Sequence, residues 1–357
     1  MIKKKIAIAV PDITFVGGAE KVAINLANKL CDIYDVTVIS LFQWQNQNNV
    51  FIGNDNVKNI SLGLEKCCSV FSRLLLNIRN RNKLKGIFNC YDYVIGNNFF
   101  RYYVYPFKTN CKLCEIQHLR FEEEKGGDSF IRRLLYSKLD KLIVLTENDS
   151  AKFRRSGYVN IETIPNFISD IKENISYNNK SKRIVAIGRL AYQKNYNDML
   201  DIMFILKKKH PDFILDILGE GDEKSQIEKK IIDLKLSENV VLHGAVENVD
   251  DYLSNAALLI STSRYEGFPL SFLEALNFEL PIITYDFDSG ARDIVFHSEN
   301  GILVNIGEKS VFANYLAEFL ENENIRIKFS EKARYLKKLY SSEVVVKQWQ
   351  TRIFNDA

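Results

Sequence analysis

The sequence predicts an α/β fold made of two doubly wound parallel-sheet domains in tandem. Three observations carry that expectation. Short apolar runs alternate with helix-period segments along the chain. The alternation breaks at Pro165-Asn166 and a polar stretch over 169–183, then restarts. The length, 357 residues, exceeds one ordinary core and suits two domains of roughly 150–200 residues. With 46% apolar and 26% charged residues the composition is that of a globular protein, not a disordered one.

In the first half, Lys5 to Val10 reads as a strand. A glycine-containing loop follows, then a helix from about Ala19 to Leu30, with Val22, Ala23, Leu26, Ala27 and Leu30 at helical spacing. Val36 to Leu41, Tyr93 to Ile95, Leu113 to Ile116 and Leu142 to Leu145 are further strands. Short apolar runs separated by helices argue for a parallel sheet buried on both faces. In the second half the strands are Ile184 to Ile187, Phe213 to Leu218, Val240 to His243, Leu258 to Ser261 and Ile282 to Tyr285. Helices are expected at about 196–209, 223–235, 249–254 and 270–278. The domains are therefore 1–166 and a second unit starting at 167. In α/β folds ligands sit where strand ends face a cleft.

The basic start, Met1-Ile2-Lys3-Lys4-Lys5, precedes too short an apolar run for a secretory leader, and Pro11-Asp12 breaks it. No run of about 18 apolar residues exists to span a membrane. All six cysteines lie in the first third (Cys31, Cys67, Cys68, Cys90, Cys111, Cys114) and are expected to be reduced thiols in a cytoplasm. Cys111-Lys112-Leu113-Cys114 has redox or zinc spacing, but it falls in a strand-like run without a second matching pair, so buried structural cysteines are expected. Charge is uneven: 24 basic and 16 acidic residues in 1–166, against 24 and 29 in 167–357. The first half is the one suited to an anionic surface or substrate.

The chemistry concentrates in the second half. Gly188-Arg189-Leu190 directly follows a strand, with Lys194 shortly after. A guanidinium fork and an ammonium at a strand's carboxyl end can hold a phosphate. Strand Leu258 to Ser261 runs into Thr262-Ser263-Arg264-Tyr265-Glu266-Gly267-Phe268-Pro269-Leu270. Pro269 suits the first helical turn, leaving the N–H groups of Leu270 and Ser271 to face an anion. Gly267 allows close backbone approach to a ligand. Glu266 sits in the loop and Glu274 inside the following helix, where adjacent ribose hydroxyls would satisfy its carboxylate.

The glutamate pair around Gly-Phe-Pro-Leu resembles that of glycosyltransferase family 4, a retaining family with the GT-B fold of two Rossmann-like domains facing a central cleft. Gly188-Arg189-Leu190 with Lys194-Asn195 is similar to its diphosphate-binding segment, and Gly17-Gly18-Ala19-Glu20 to its N-terminal glycine loop. Leu218-Gly219-Glu220-Gly221 and Leu242-His243-Gly244 resemble its loops around the nucleotide. The resemblance implies that Arg189 and Lys194 neutralise the donor diphosphate and Glu274 holds the ribose. Glu266 would contact the transferred sugar, with backbone at Gly267 and Phe268 touching its hydroxyls and backbone near Ala245 and Val246 meeting the base. Gly17 and Gly18 would let the first loop approach the phosphates, and His118, after the strand Lys112 to Ile116, would lie near the sugar. Gln117 stands where the family more often has an acid. The resemblance also implies a final helix, about 343–354, that crosses back, so that 341–357 joins the first domain and 167–340 forms the second.

The expected reaction is retaining transfer of a sugar from a nucleotide diphosphate, UDP-hexose or UDP-N-acetylhexosamine before GDP-mannose. No metal or other cofactor is expected. A bacterial surface-polysaccharide acceptor, polyprenyl-diphosphate-linked, is expected at the inner face of the cytoplasmic membrane. From Lys66 to Tyr91 there are six basic residues and no acid (Lys66, Arg73, Arg79, Arg81, Lys83, Lys85), interleaved with Leu74, Leu75, Leu76, Ile78, Leu84, Ile87 and Phe88. Such a helix either lies on an anionic leaflet or packs on the sheet with a solvated basic face. A nucleotide-sugar 2-epimerase would share the fold but lacks a supporting acid/base constellation. A dinucleotide oxidoreductase would need Gly-x-Gly-x-x-Gly, which adjacent Gly17-Gly18 do not supply. Nucleic-acid binding would leave the phosphate constellation of the second half unexplained.

Overall fold

The computed structural model describes residues 3–14, 17–42, 54–64, 70–97, 109–124, 129–173, 175 and 177–356. The chain divides into two compact units, Met1–Ser169 with Ser342–Ala357, and Asp170–Ser341.

The first unit holds seven strands: β1 Lys5–Val10, β2 Asp35–Phe42, β3 Lys58–Leu64, β4 Tyr93–Asn97, β5 Lys112–Gln117, β6 Lys141–Val144 and β7 Ile161–Thr163. They form one parallel sheet in the order β3-β2-β1-β4-β5-β6-β7. Ile6 to Val10 are buried on both faces, which is why β1 reads as an unbroken apolar run. The edge strands do not read as apolar runs, because β3 alternates apolar with polar residues and β7 is only three residues long. Helix Gly18–Leu30 buries Val22, Ala23, Leu26, Ala27 and Leu30, the set expected from spacing.

The last helix, Ser342–Arg352, belongs to this unit. Its buried residues are Val345, Val346 and Trp349; Val344 is 43% exposed, because the inward stripe starts one residue later than the sequence suggested. Phe354 then packs edge-on against Tyr34 and Tyr93, with ring centroids 5.1 and 5.0 Å away.

Helix Val70–Phe88 packs inward through Leu84 and Phe88 and leaves Leu75 and Ile78 exposed beside Arg79, Arg81 and Lys83. Lys66 and the side chains of Arg73, Leu74 and Leu76 lie outside the described residues, as do Cys67 and Cys68. Among the described residues no helix is long and apolar enough to cross a membrane. Cys111 and Cys114 are buried at β5, and burial pushes both thiols up, which disfavours the thiolate that a metal or redox partner needs.

The second unit holds β8 Arg183–Ile187, β9 Ile214–Leu218, β10 Val240–Gly244, β11 Leu258–Ser261, β12 Ile282–Tyr285 and β13 Gly301–Val304. The sheet is parallel throughout, in the order β10-β9-β8-β11-β12-β13. Helices Tyr196–Lys207 and Lys309–Glu321 bury Met199, Leu200, Met203, Phe312 and Leu316 in its core. Both sheets reverse strand order once, at β1/β4 and at β8/β11.

Two ionic clusters lock the second unit. Asp216, almost fully buried in β9, takes a forked pair from Arg183 at 2.8 and 2.5 Å and a 2.8 Å contact from His243 Nε2. His243, read as the end of a strand that leads into a loop around the nucleotide, has its other ring nitrogen 3.2 Å from the Tyr252 hydroxyl, so both ring nitrogens have partners within this unit. Glu279, just past helix Leu270–Asn277 at φ 60°, lies 2.8 Å from Arg334 Nε and 2.8 Å from Lys337 Nζ. The Glu279 and Lys337 side chains are each 3% exposed. Removing one partner of such a pair strands the other charge in the core, at a cost of about 3 kcal/mol. Glu279→Gln is therefore expected to destabilise the second unit on that scale in urea unfolding, whereas Lys224→Met, at the exposed Glu220 pair, should change it little.

Candidate active site

In open α/β sheets, ligands bind outside the carboxyl ends of the strands where strand order reverses. In the second unit that point lies between β8 and β11, and the loops leaving these two strands carry the expected residues. The β8 loop runs Gly188, Arg189, Leu190, then a short 3-10 turn at Tyr192–Lys194. Asn195 follows in the left-handed region (φ 53°), a conformation asparagine tolerates, and opens helix Tyr196–Lys207. The β11 loop is tied to it backbone to side chain. Thr262 Oγ1 donates to the carbonyls of Lys194 (3.2 Å) and Asn195 (3.0 Å). Arg264 N–H donates to Gln193 O at 2.8 Å. The Arg264 guanidinium donates to Asn195 Oδ1 at 2.7 Å and lies 4.3 Å from the centre of the Tyr192 ring.

At this junction Lys194 and Glu266 meet. Lys194 Nζ lies 2.6 Å from Glu266 Oε1, which also accepts from Ser263 Oγ at 2.7 Å. Gln193 Nε2 donates to Glu266 Oε2 at 3.1 Å. Glu266 is 8% exposed, and a carboxylate buried that deeply needs such partners. Beneath it, Tyr196 donates to Gly188 O at 2.9 Å; burial first, and the Glu266 charge second, push its phenol up. Arg189 is exposed and makes no ion pair among the described residues. The junction thus offers one ammonium already engaged by a carboxylate and one guanidinium open to an anion.

Backbone proximity frames the same point. Gly188 N–H donates to Leu218 O, Leu190 N–H to Glu220 O, and Gly219 N–H to Gly244 O. A Cβ on Gly219 would sit 2.1 Å from Gly188 O, so these loops approach as closely as they do only because the position is glycine. Ala245 is exposed and Val246 half-buried just beyond Gly244, at the end of β10.

The segment after Glu266 differs in detail from the sequence expectation. Pro269 is the N-cap of helix Leu270–Asn277, not part of its first turn, because its ψ of 110° is extended. Among the described residues no side chain caps this end, so the N–H groups of Leu270 and Ser271 still face out of the helix as an anion would require. Gly290 (φ 87°) lets a neighbouring loop close on this segment: a Cβ there would fall 2.7 Å from Pro269 Cδ and 2.9 Å from Gly267 O. Phe268 is buried, its ring 6.1 Å from that of Tyr340. Glu274 is half-buried one turn into the helix.

Two of the expected groups belong to the first unit. Gly17 caps helix Gly18–Leu30 with no side-chain bond of its own, and the Glu20 carboxylate accepts from backbone N–H groups at Gly17 and Glu20; the φ of −103° at Gly17 does not itself require glycine. His118 follows β5, with Nε2 2.8 Å from Asn97 Oδ1 at the end of β4. Asn97 Nδ2 donates to Ala9 O at 3.0 Å, which orients the amide and makes His118 Nε2 the donor. Sequence reasoning passed over Gln193, Ser263, Thr262, Arg264, Asn97 and Gly290.

Burial lowers His118 to a pKa of about 4, so the imidazole is neutral at pH 7. The unfolded chain binds a proton near the ordinary value of 6.5 that the native state refuses. Stability from this group is complete above about pH 6.5 and is lost as pH falls toward 4. His118→Gln should lose less stability than the wild type between pH 7 and pH 4.5 in urea unfolding; parallel pH curves would contradict the neutral histidine.

Residues 167–335 match the family of group 1 glycosyl transferases. The chain is 27% identical over 97% of its length to the amylovoran biosynthesis glycosyltransferase AmsD of Erwinia amylovora, covering 98% of that protein. It is 25% identical, over 93% of its length and 94% of the other's, to a Campylobacter jejuni enzyme named as an alpha-1,4-N-acetyl-D-galactosaminyltransferase acting on a diNAcBac-PP-undecaprenol-linked glycan. Among solved structures, S. aureus TarM with fondaparinux, alpha-GlcNAc-glycerol and UDP superposes with a TM-score of 0.83 at 17% identity, covering 98% of this chain and 99% of that one. The lipopolysaccharide outer core galactosyltransferase WaaB gives 0.75 at 18% identity, with 98% and 99% covered. The structural likenesses carry the fold and the relatives carry the class of enzyme: the chain is a glycosyltransferase of the GT-B fold, and its residues 167–335 match the group 1 glycosyl transferases.

Proposed function

We propose that the protein is a retaining, metal-independent glycosyltransferase of family 4 that moves a sugar from a UDP donor, a hexose or N-acetylhexosamine, to a polyprenyl-diphosphate-linked glycan in bacterial surface-polysaccharide synthesis. The observation that carries this reading is the convergence of Arg189, Lys194, Glu266 and an uncapped helix N-terminus on the β8/β11 reversal of the second sheet. Departure of a nucleotide diphosphate develops negative charge on phosphate while the sugar becomes oxocarbenium-like. Preorganised cations and backbone N–H groups stabilise that charge without a metal ion. In this scheme the leaving phosphate takes the proton of the acceptor hydroxyl on the same face, and no protein nucleophile is assigned. Glu274 holds the ribose, Glu266 meets the transferred sugar, and the backbone at Ala245 and Val246 meets the base.

The acceptor rests on two supports. The Erwinia and Campylobacter relatives are named for polysaccharide synthesis and for an undecaprenol-linked substrate. The exposed face of helix Val70–Phe88 presents Leu75 and Ile78 beside Arg79 and Arg81, the combination that an anionic leaflet attracts. Both supports favour a reading in which the enzyme works at the inner face of the cytoplasmic membrane.

A thermal-shift panel of UDP, GDP and ADP sugars tests the donor. UDP sugars should raise Tm most; a larger shift with GDP-mannose would move the reading to a mannosyltransferase. On the preferred donor, Glu274→Ala should mainly raise KM and Glu266→Ala mainly lower kcat, each by roughly tenfold or more. Negligible effects of both changes would overturn the residue roles.

A further inference from the structure

Gln193 occupies a position that the reading above leaves without a role. Its side-chain amide has two N–H bonds, and both point into the β11 loop: Nε2 lies 2.9 Å from Tyr265 O and 3.1 Å from Glu266 Oε2. Its own carbonyl accepts from Arg264 N–H at 2.8 Å. One residue therefore stitches the turn that carries Lys194 to the loop that carries Glu266, through three hydrogen bonds.

A carboxylate has roughly four acceptor sites. On Glu266, Oε1 takes Lys194 at 2.6 Å and Ser263 at 2.7 Å, and Oε2 takes Gln193 at 3.1 Å. Among the described residues that leaves one acceptor direction, on Oε2, and the Gln193 amide decides where it points. The donor is also neutral. It orients the carboxylate without adding a second cation beside Lys194.

We propose that Gln193 is a positioning residue for sugar transfer: its amide fixes the plane of the Glu266 carboxylate and presents the open side of Oε2 to a hydroxyl of the transferred sugar. The proposal rests on the reading of Glu266 as the group that meets that sugar. Gln193 lies beyond the donor phosphates in role, so its loss should leave nucleotide binding alone and slow turnover.

The test uses Gln193→Met, which keeps length and removes the donor, and Gln193→Glu. In the second variant two carboxylates face each other within reach of Lys194, Arg264 and Tyr196, and like charges so placed hold a proton. Protonated, the new side chain donates the hydrogen bond that glutamine makes. Release of UDP from UDP-glucose and UDP-N-acetylglucosamine, with water or glycan as acceptor, is measured from pH 5.5 to 8, with calorimetric binding of UDP alongside. Gln193→Met should bind UDP within about twofold of wild type and lose kcat by roughly tenfold, the scale of one charge-assisted hydrogen bond. Gln193→Glu should be impaired at pH 8 and recover as pH falls, while the Gln193→Met deficit stays constant. Wild-type kcat in Gln193→Met beside a disabled Glu266→Gln would sink the proposal alone. So would a Gln193→Glu deficit that ignores pH, which marks a merely structural side chain. Full activity in Glu266→Gln would sink the reading of Glu266, and the proposal with it.

Discussion

Everything at the candidate site depends on satisfying one carboxylate. Glu266 is nearly buried, and an unpaired charge there would be too costly to keep. The chain meets that cost from both loops at once. Ser263 comes from the β11 side, Lys194 and Gln193 from the β8 side, so a local electrostatic requirement holds two strand-end loops together. Thr262 and Arg264 repeat the stitch through backbone carbonyls and Asn195. The ion pair is therefore less a source of stability than a device that fixes geometry. It sets a cation and an acceptor at a defined spacing above the sheet.

The fold supplies the place for it. A parallel sheet buried on both faces directs all its strand carboxyl ends one way, and the order reversal at β8/β11 opens a gap between the two halves of the sheet. Glycine then allows the neighbouring loops to close in, with Gly219 against Gly188 O and Gly290 against Gly267 O. The uncapped N-terminus of helix Leu270–Asn277 adds unsatisfied N–H donors beside them. Charge, dipole and close backbone approach thus gather at one point because each follows from the topology.

Much of this was legible in the sequence. Buried strands such as β1, β8 and β11 read as apolar runs because both of their faces pack, and helix Gly18–Leu30 announced its buried stripe by spacing. The edge strands β3 and β7 and the late strand β13 did not stand out, being short or polar. Arg189, Lys194, Glu266 and Glu274 could be named from their offsets along the chain. What offsets cannot show is which side chains cross between loops. Gln193 and Ser263 look like ordinary polar residues until the fold brings them onto Glu266, and His243 looks like a strand end leading into a loop until Asp216 and Tyr252 claim it. His118 was expected near a sugar; its neutral state depends on burial and its orientation on Asn97, neither visible in sequence.

The central claim is that the β8/β11 junction grips the donor diphosphate. Calorimetric titration of UDP into wild-type protein and Lys194→Met at low ionic strength tests it most directly. Loss of one ammonium–phosphate contact should weaken UDP binding by about tenfold or more, and added salt should narrow the gap. Equal UDP affinity in the two proteins, with the variant still folded, would contradict the account.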